Sequence, residues 1–520
     1  MKVSLPLSAA GRLAFRLAFG FTLAGFTAAA SDWPQYRGPA FNGVSTDRIN
    51  KEWTGSVTNP AWVVPVDYAL CSLAVSGGRV ITQGRRNIGG VDREVCIALN
   101  ATNGVELWAT EVDDANYPDG GVGPDDGPRT TPAILGGSVY VLSSYLKLFR
   151  LDAADGSVIW QKDLLALYGG DVINYQNAAS PLVDGGRIYV NTGATSSNLM
   201  AFNTGDGELV WRSQDEAITH ATPTLAMLHG VKQVIFPAQS GLVSLNPQTG
   251  GFLWRFDYPF PHFISLATSP VVHDDMVYVN GTDAYGMGSV VARVDFTNST
   301  WTTTQLWWTN NPSSYWMTPV AREGFLYGQF GVGQFLYANG QLKCIEMRTG
   351  NVKWSAPNFG RAGLDLVDDH LVVLTELGDL VLVKPDTNSL IELGRLTAIP
   401  EFNQFTNRCW AMPAVADGRV YVRSTSRAAM FDVSVPGLKL DAPKMFPANK
   451  LELTVRTADG SPVASNRLTA MEVRVSTNVT LARDLWPMLT NAMTLTNGVV
   501  RVTNVNAPPP RNFFIVTEPK

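Results

Sequence analysis

The sequence predicts an all-β fold, an eight-bladed β-propeller of four-stranded antiparallel blades followed by a small C-terminal β module. Three observations carry this expectation. A turn of the form Asx/Glu-x3-Gly-x3-Trp recurs, as in LNATNGVELW, LDAADGSVIW, FNTGDGELVW, LNPQTGGFLW and IEMRTGNVKW. The tryptophans that close the repeats (Trp62, Trp108, Trp160, Trp211, Trp254, Trp307, Trp354) lie 46, 52, 51, 43, 53 and 47 residues apart. Between them run alternating Val, Ile and Tyr segments separated by Gly/Asp turns, which is strand patterning, and no long stretch shows helical periodicity. A four-strand unit at that period is the signature of a propeller.

The elements follow in order. Residues 1–30 read as a signal peptide: Lys2, Arg12 and Arg16 precede an apolar run of 13 residues, and Ala28-Ala29-Ala30 offers a cleavage site before Ser31. That run is too short to span a bilayer, and no later segment reaches 18 uninterrupted apolar residues, so an exported, periplasmic or extracellular protein is expected. Removing the leader leaves 37 Lys and Arg against 45 Asp and Glu, a net charge of −8. Such a balance argues against nucleic acid or an anionic membrane surface as partner, because phosphate binding needs a basic face.

Residues 31–436 hold the propeller. Each unit opens on a Ser/Thr-Pro and a hydrophobic run, then a tight turn and a second run, as in TPAILGGSVYVLSS, SPLVDGGRIYVNTG, SPVVHDDMVYVNGT and the late MPAVADGRVYVRST. The seventh unit lacks the Trp, and the eighth, from Met412 to about Val435, supplies three strands only. Its missing strand is expected at the other end of the chain, in NPAWVVPV (59–66), which would close the ring and remove its free edges. One blade cannot bury both faces of its sheet, so blades must stack. The seven tryptophans are therefore expected to dock blades, each fully buried side chain contributing about 1.5–3 kcal/mol. From 437 to 520 a linker leads into short strands (LELTVR, AMEVRVSTN, MTLTNG, VVRVTNV, NFFIVTE), a small β domain without catalytic signature.

The opening strand, the VYV second strand and the LDxxTGxxxW closure together resemble the PQQ-like propeller repeat. That family includes quinoprotein alcohol dehydrogenases and the BamB-type lipoprotein of outer-membrane assembly. DWPQYRGPAFNGVS (32–45) and GPRTTP (127–132) are similar to a large group of exported bacterial PQQ-like proteins. The resemblance implies the fold. For function it implies either a binding or protein-interaction scaffold of the cell envelope or a PQQ-dependent oxidoreductase of alcohols or sugars. Departures favour the first: there is no adjacent cysteine pair, no matched calcium-binding set of acidic and amide side chains, and no CxxCH haem motif. No cofactor is therefore expected, PQQ with calcium being the alternative, and no catalytic residue is assigned. The expected partner is an envelope or extracellular protein or a small ligand, bound by a monomer.

Propeller ligands meet the residues that open each innermost strand. Counting back from each opening Pro gives Arg129, Asn177, His220, Trp316 and Trp410, with His262, Tyr315, Arg361 and Arg408 nearby. Such a ring suits an anionic or planar group through charge-assisted hydrogen bonds and stacking, although a polar lining is also what any wide channel needs. The loop DDANYPDGGVGPDDGP (113–128) carries five aspartates but no EF-hand spacing, and reads as solvated turns. The five histidines lie in separate segments without zinc-ligand spacing. Cys96 and Cys344 fall at matching strand positions, whereas an oxidising compartment would permit a Cys71–Cys409 bond.

Overall fold

The computed structural model describes residues 31–53, 59–117, 126–259, 266–281, 288–310, 314, 316–330, 340–361, 363–403, 406–506 and 512–518. Hydrophobic runs punctuated by Gly/Asp turns fold as the alternation dictates, into antiparallel meanders. Each begins with a short inner strand at the Ser/Thr-Pro and ends with the Trp-bearing outer strand. The first sheet runs from Ala74–Ser76 to Glu106–Asp114, the second from Ala133–Leu135 to Val158–Asp163, and the third from Leu182–Asp184 to Leu209–Ser213. The fourth spans Thr224–Leu228 to Phe252–Asp257, the fifth Val271–His273 to Thr300–Thr309, and the sixth Val320–Arg322 to Val352–Ala356. The seventh runs from Leu364–Val367 to Ile391–Thr397. The eighth contains Ala414–Ala416, Arg419–Arg423 and Arg427–Asp432, and its outer strand is Trp62–Pro65, with Trp62 opposite Met430 and Pro65 opposite Arg427.

The cores show how the sheets stack. One buried cluster joins the first and second sheets (Ile81, Trp108, Val139, Phe149), and equivalent clusters join every successive pair. The series closes where Trp62, Tyr421 and Met430 of the eighth sheet pack on Leu73, Val80 and Ile97 of the first. Six of the seven closing tryptophans reach the turn between the next sheet's third and fourth strands, which is an Asx/Glu-x3-Gly turn in every case but the seventh sheet. Trp62 Nε1 donates to Ala101 O, Trp108 Nε1 to Ala153 O and Trp211 Nε1 to Pro247 O, each at 3.1 Å. Trp160 does the same to Gly205 O (3.1 Å), Trp307 to Met347 O (2.8 Å) and Trp354 to Asp386 O (2.8 Å). Gly156, at φ 77°, lies flat on the Trp108 indole; a Cβ there would sit 2.5 Å from the ring, which is why this turn needs glycine. Trp254 departs from the pattern and donates to Gln233 Oε1 of its own sheet at 2.6 Å, because the following turn, Asn298-Ser299, lacks the repeat.

Residues 33–49 form a strap across the inner strands, on the face that carries the turn between each sheet's first two strands. Trp33 exchanges two 2.8 Å backbone hydrogen bonds with Val75, and Ile134 N donates to Pro34 O at 2.7 Å. The Gln35 amide copies a peptide unit against Val183, donating to its O (3.1 Å) and accepting from its N (3.0 Å). Val44–Ser45 pairs in parallel with Leu366–Val367. The C-terminal strands build a sheet around Lys450–Thr457 and Val499–Asn506, with a core of their own (Leu453, Val455, Val473, Val502). Glu518 ties them to the strap through Arg48 at 3.4 Å. The α-helix Leu164–Tyr168 is one turn long, and among the described residues no helix is long and apolar enough to cross a membrane.

All four cysteines are buried and free, so the permitted Cys71–Cys409 bond does not form. Cys71 packs at the junction of the eighth and first sheets, 3.3 Å from Thr82 Oγ1, whereas Cys409 belongs to the core between the seventh and eighth.

Candidate functional site

In a four-strand meander the loops between sheets and the hairpins joining second to third strands share one face, opposite the strap. The sequence-derived residues that fall among the described ones gather there in two arcs; His262 and Tyr315 lie outside the described residues.

The first arc spans the second to fourth sheets and is held by the segment 173–177. Arg129 makes a bidentate pair with Asp126 (2.9 and 3.0 Å) and reaches Gln176 Oε1 at 3.5 Å. Asn177 is buried and shapes the chain, donating to Ala179 O (3.1 Å) and accepting from Ala179 N (3.1 Å). His220 Nε2 lies 2.9 Å from Asn174 O. These side chains bind loops to one another. A buried carboxyl missed in the sequence sits beside them. Glu94, fully buried at the mouth end of Val91–Asn100, accepts from Tyr117 Oη (2.8 Å) and Ser144 N (3.1 Å). Burial first, then the nearby Asp113 carboxylate, pushes its pKa up to about 7 from an ordinary 4.5. Desolvation likewise raises the Tyr117 phenol.

The sign of the Glu94 effect follows. A carboxyl whose folded pKa is raised contributes its full stability below the unfolded value, and that contribution is lost as pH rises through the folded one. Stability is thus expected to fall between pH 4.5 and about 7 on this group's account, by at most about 1.4 kcal/mol per pH unit. Glu94→Gln should flatten that part of the profile in urea titrations across the window, and unchanged slopes would refute the assignment.

The second arc spans the sixth to eighth sheets and assembles four of the expected residues. The Trp316 and Trp410 rings lie 4.5 Å apart between centroids at 55°. Arg361 stands 5.7 Å over Trp316 and 5.6 Å over Trp410, and Arg408 stands 4.3 Å over Trp410. Both guanidiniums are buried while both indoles are half-buried. Glu376, also missed, organises the arc: it accepts from Trp410 Nε1 (2.8 Å) and Arg361 N (3.1 Å) and lies 3.5 Å from Arg361 Nε. It sits in the hairpin between the seventh sheet's second and third strands, so counting back from the opening prolines could not reach it.

Two indole faces backed by two cations offer a platform for an aromatic, apolar or anionic group of a partner. Glu376, the carboxylate described in this arc, is tied to Trp410 and Arg361. Among the described residues no group of three or more His, Cys, Asp or Glu is placed to hold a metal ion. Part of the aspartate loop, 118–125, lies outside the described residues.

Comparison with known proteins agrees with the architecture. Residues 91–356 match the family model described as outer membrane protein assembly factor BamB. The BamB of Shewanella oneidensis is 28% identical over 303 residues, 52% of this chain and 68% of that protein. The BamB of Salmonella typhimurium is 25% identical over 225 residues, 42% of this chain and 51% of that protein. The chain therefore spans between half and about two thirds of the length of these relatives. Among solved structures, a quinohemoprotein alcohol dehydrogenase from Comamonas testosteroni shares the fold. Its TM-score is 0.53 at 13% identity, and the match covers 81% of this chain and 83% of that one.

Proposed function

The chain belongs to the family of the outer membrane protein assembly factor BamB, and from that premise we propose that it is an exported propeller that acts by binding, as a protein-interaction scaffold in the cell envelope. The carrying observation is the extent of the family match, which runs from the third strand of the first sheet to the last strand of the sixth. The cation-backed indoles of Trp316 and Trp410 supply a surface of the kind that anchors a partner, since half-buried aromatics with Arg behind them dominate interface energetics. Localisation on the periplasmic or extracellular side is part of this reading and rests on the leader-like segment 1–30.

The test sets binding against redox chemistry. A photoreactive residue placed at Trp316 in the full-length protein should give a discrete, saturable cross-link to an envelope protein, and Trp410→Ala should weaken it at least tenfold. Purified protein incubated with PQQ and Ca²⁺ should lose the quinone absorbance on desalting and reduce no dye with alcohols or sugars. Quinone retained through desalting, together with substrate-dependent dye reduction, would overturn the scaffold reading in favour of an oxidoreductase.

A further inference from the structure

The strap leaves a gap. In each inner strand the pair that closes the two-residue hairpin is hydrogen-bonded, and bonded and non-bonded pairs alternate. In the first sheet Ser76 faces Arg79, so the N–H and C=O of Val75 point away from the ladder, towards the channel. Trp33 takes both. The same register frees the edges of Ile134, Val183 and Leu366, and the strap meets each of them, through Pro34 O, the Gln35 amide and Gly43 O. The strap then skips the fifth sheet. Arg37 carries it across by donating to Thr318 O (3.2 Å) and Pro319 O (2.9 Å) at the entrance of the sixth.

What remains open is a cavity of about 360 Å³ between the strap and the fourth and fifth inner strands. Its walls include Ala40 and Phe41 of the strap, Leu225 and Met227 of the fourth sheet, and Val271 and Val272 of the fifth. Register places the free N–H and C=O of Leu225, Met227 and Val272 on this side, since Ala226 pairs with Gln233, Leu228 with Val231 and His273 with Met276 in the bonded positions. The cavity thus combines two uncapped strand edges with a wall that mixes these apolar side chains with polar ones such as Lys232, His273 and Asp274. Main-chain donors and acceptors give an extended segment its affinity, and pockets for alternate side chains give selectivity.

We propose that this cavity is a docking site for an extended peptide segment of a partner protein, which adds as a strand to Val272 and to the Leu225–Met227 edge. The occupant is set by the chain's own precedent. The strap already lies on the equivalent edges of four other sheets, of three by main-chain bonding and of the third sheet through the peptide-like Gln35 amide, and the cavity continues its track. The site lies on the face opposite the Trp316–Trp410 platform. It goes beyond the function proposed above, and either can fail without the other.

The probe is an acetylated, amidated pentapeptide of alternating Thr and Val, compared with the same peptide N-methylated at alternate residues to remove its donors. Titration calorimetry and amide hydrogen exchange on the intact protein should show millimolar or tighter binding of the first peptide. Slowed exchange should be confined to residues 224–228 and 270–274, and N-methylation should weaken binding at least tenfold. Val272→Pro removes a channel-facing donor without touching the ladder, a change that edge strands tolerate, and should also cost at least tenfold. Ala40→Trp fills the cavity from the strap side and should block binding while leaving the strand edge intact. Absence of binding, equal binding of the N-methylated peptide, or protection at the outer strands instead would each overturn the proposal.

Discussion

A chain from which residues 31–67 have been deleted is expected to accumulate as aggregate rather than as folded protein. The deletion removes the strand Trp62–Pro65 and so bares the whole length of Arg427–Asp432 as an unpaired edge, the feature that templates sheet association. It also removes three buried tryptophans, Trp33, Trp53 and Trp62, each worth about 3–5 kcal/mol on truncation in a core. Together these match or exceed the roughly 5–15 kcal/mol that holds a typical domain. The strap's other contacts go as well, among them the buried Arg37 beside Asp365, whose carboxyl burial holds well above its ordinary range. A shorter deletion of 31–50 separates closure from strapping: it keeps the strand at Trp62 and should leave a soluble but destabilised protein. A soluble 68–520 fragment with one cooperative unfolding transition would show that neither closure nor strap is needed.

How much of this was legible in the sequence depended on the range of each signal. The Asx-x3-Gly-x3-Trp turn is local, and it placed the outer strands and the tryptophans that reach the neighbouring turns. The missing strand of the last unit pointed to the pairing of Trp62 with Met430, because an absent element at one terminus and a surplus at the other is itself a pattern. DWPQYRGPAFNGVS stood out as a motif, yet its role was not readable. Gln35 meets Val183 at a separation of 148 residues and Arg37 meets Thr318 at 281, distances about which no local periodicity informs. The mouth residues were found in part. Counting from each opening Pro located Trp316 and Trp410, with Arg408 close by and Arg361 in the comparable loop before the seventh unit, but it surveyed only the loops between sheets. Glu376 and Glu94 enter from within sheets, at the ends of second and third strands that reach the same face. The burial of Asn177 and His220, whose side chains hydrogen-bond the backbone of neighbouring loops, is a tertiary property that composition does not carry.

One further outlier was present in the repeat alignment and has the largest expected single-residue effect. After the VYV-type second strand the units carry Leu142, Asn191 and Asn280, but the last carries Arg423. Its side chain is fully buried where the eighth sheet meets the first. Nη1 donates to Thr82 Oγ1 (2.6 Å) and Gln83 O (3.0 Å), Nη2 to Asp67 O (3.0 Å) and Thr425 O (3.2 Å), and Nε to Ser424 O (3.0 Å). Arg423→Ala therefore strands several buried acceptors at once, each costing about 1–3 kcal/mol when left unmade, and opens a cavity beside them. Water entering that cavity recovers part of the loss, so a net destabilisation of about 3–5 kcal/mol is expected. It should read out as a lower denaturant midpoint at unchanged slope. Arg423→Lys keeps the charge but loses the planar fork that spans the two sheets, so it should fall nearer to Ala than to the parent. The loss should also be local in origin. Amide exchange should accelerate first in Trp62–Pro65 and Arg79–Ile88, the two strands at the seam, before it does so in the third and fourth sheets. A loss below about 1 kcal/mol, or acceleration that begins away from this seam, would mean that Arg423 fills space there without clamping the ring.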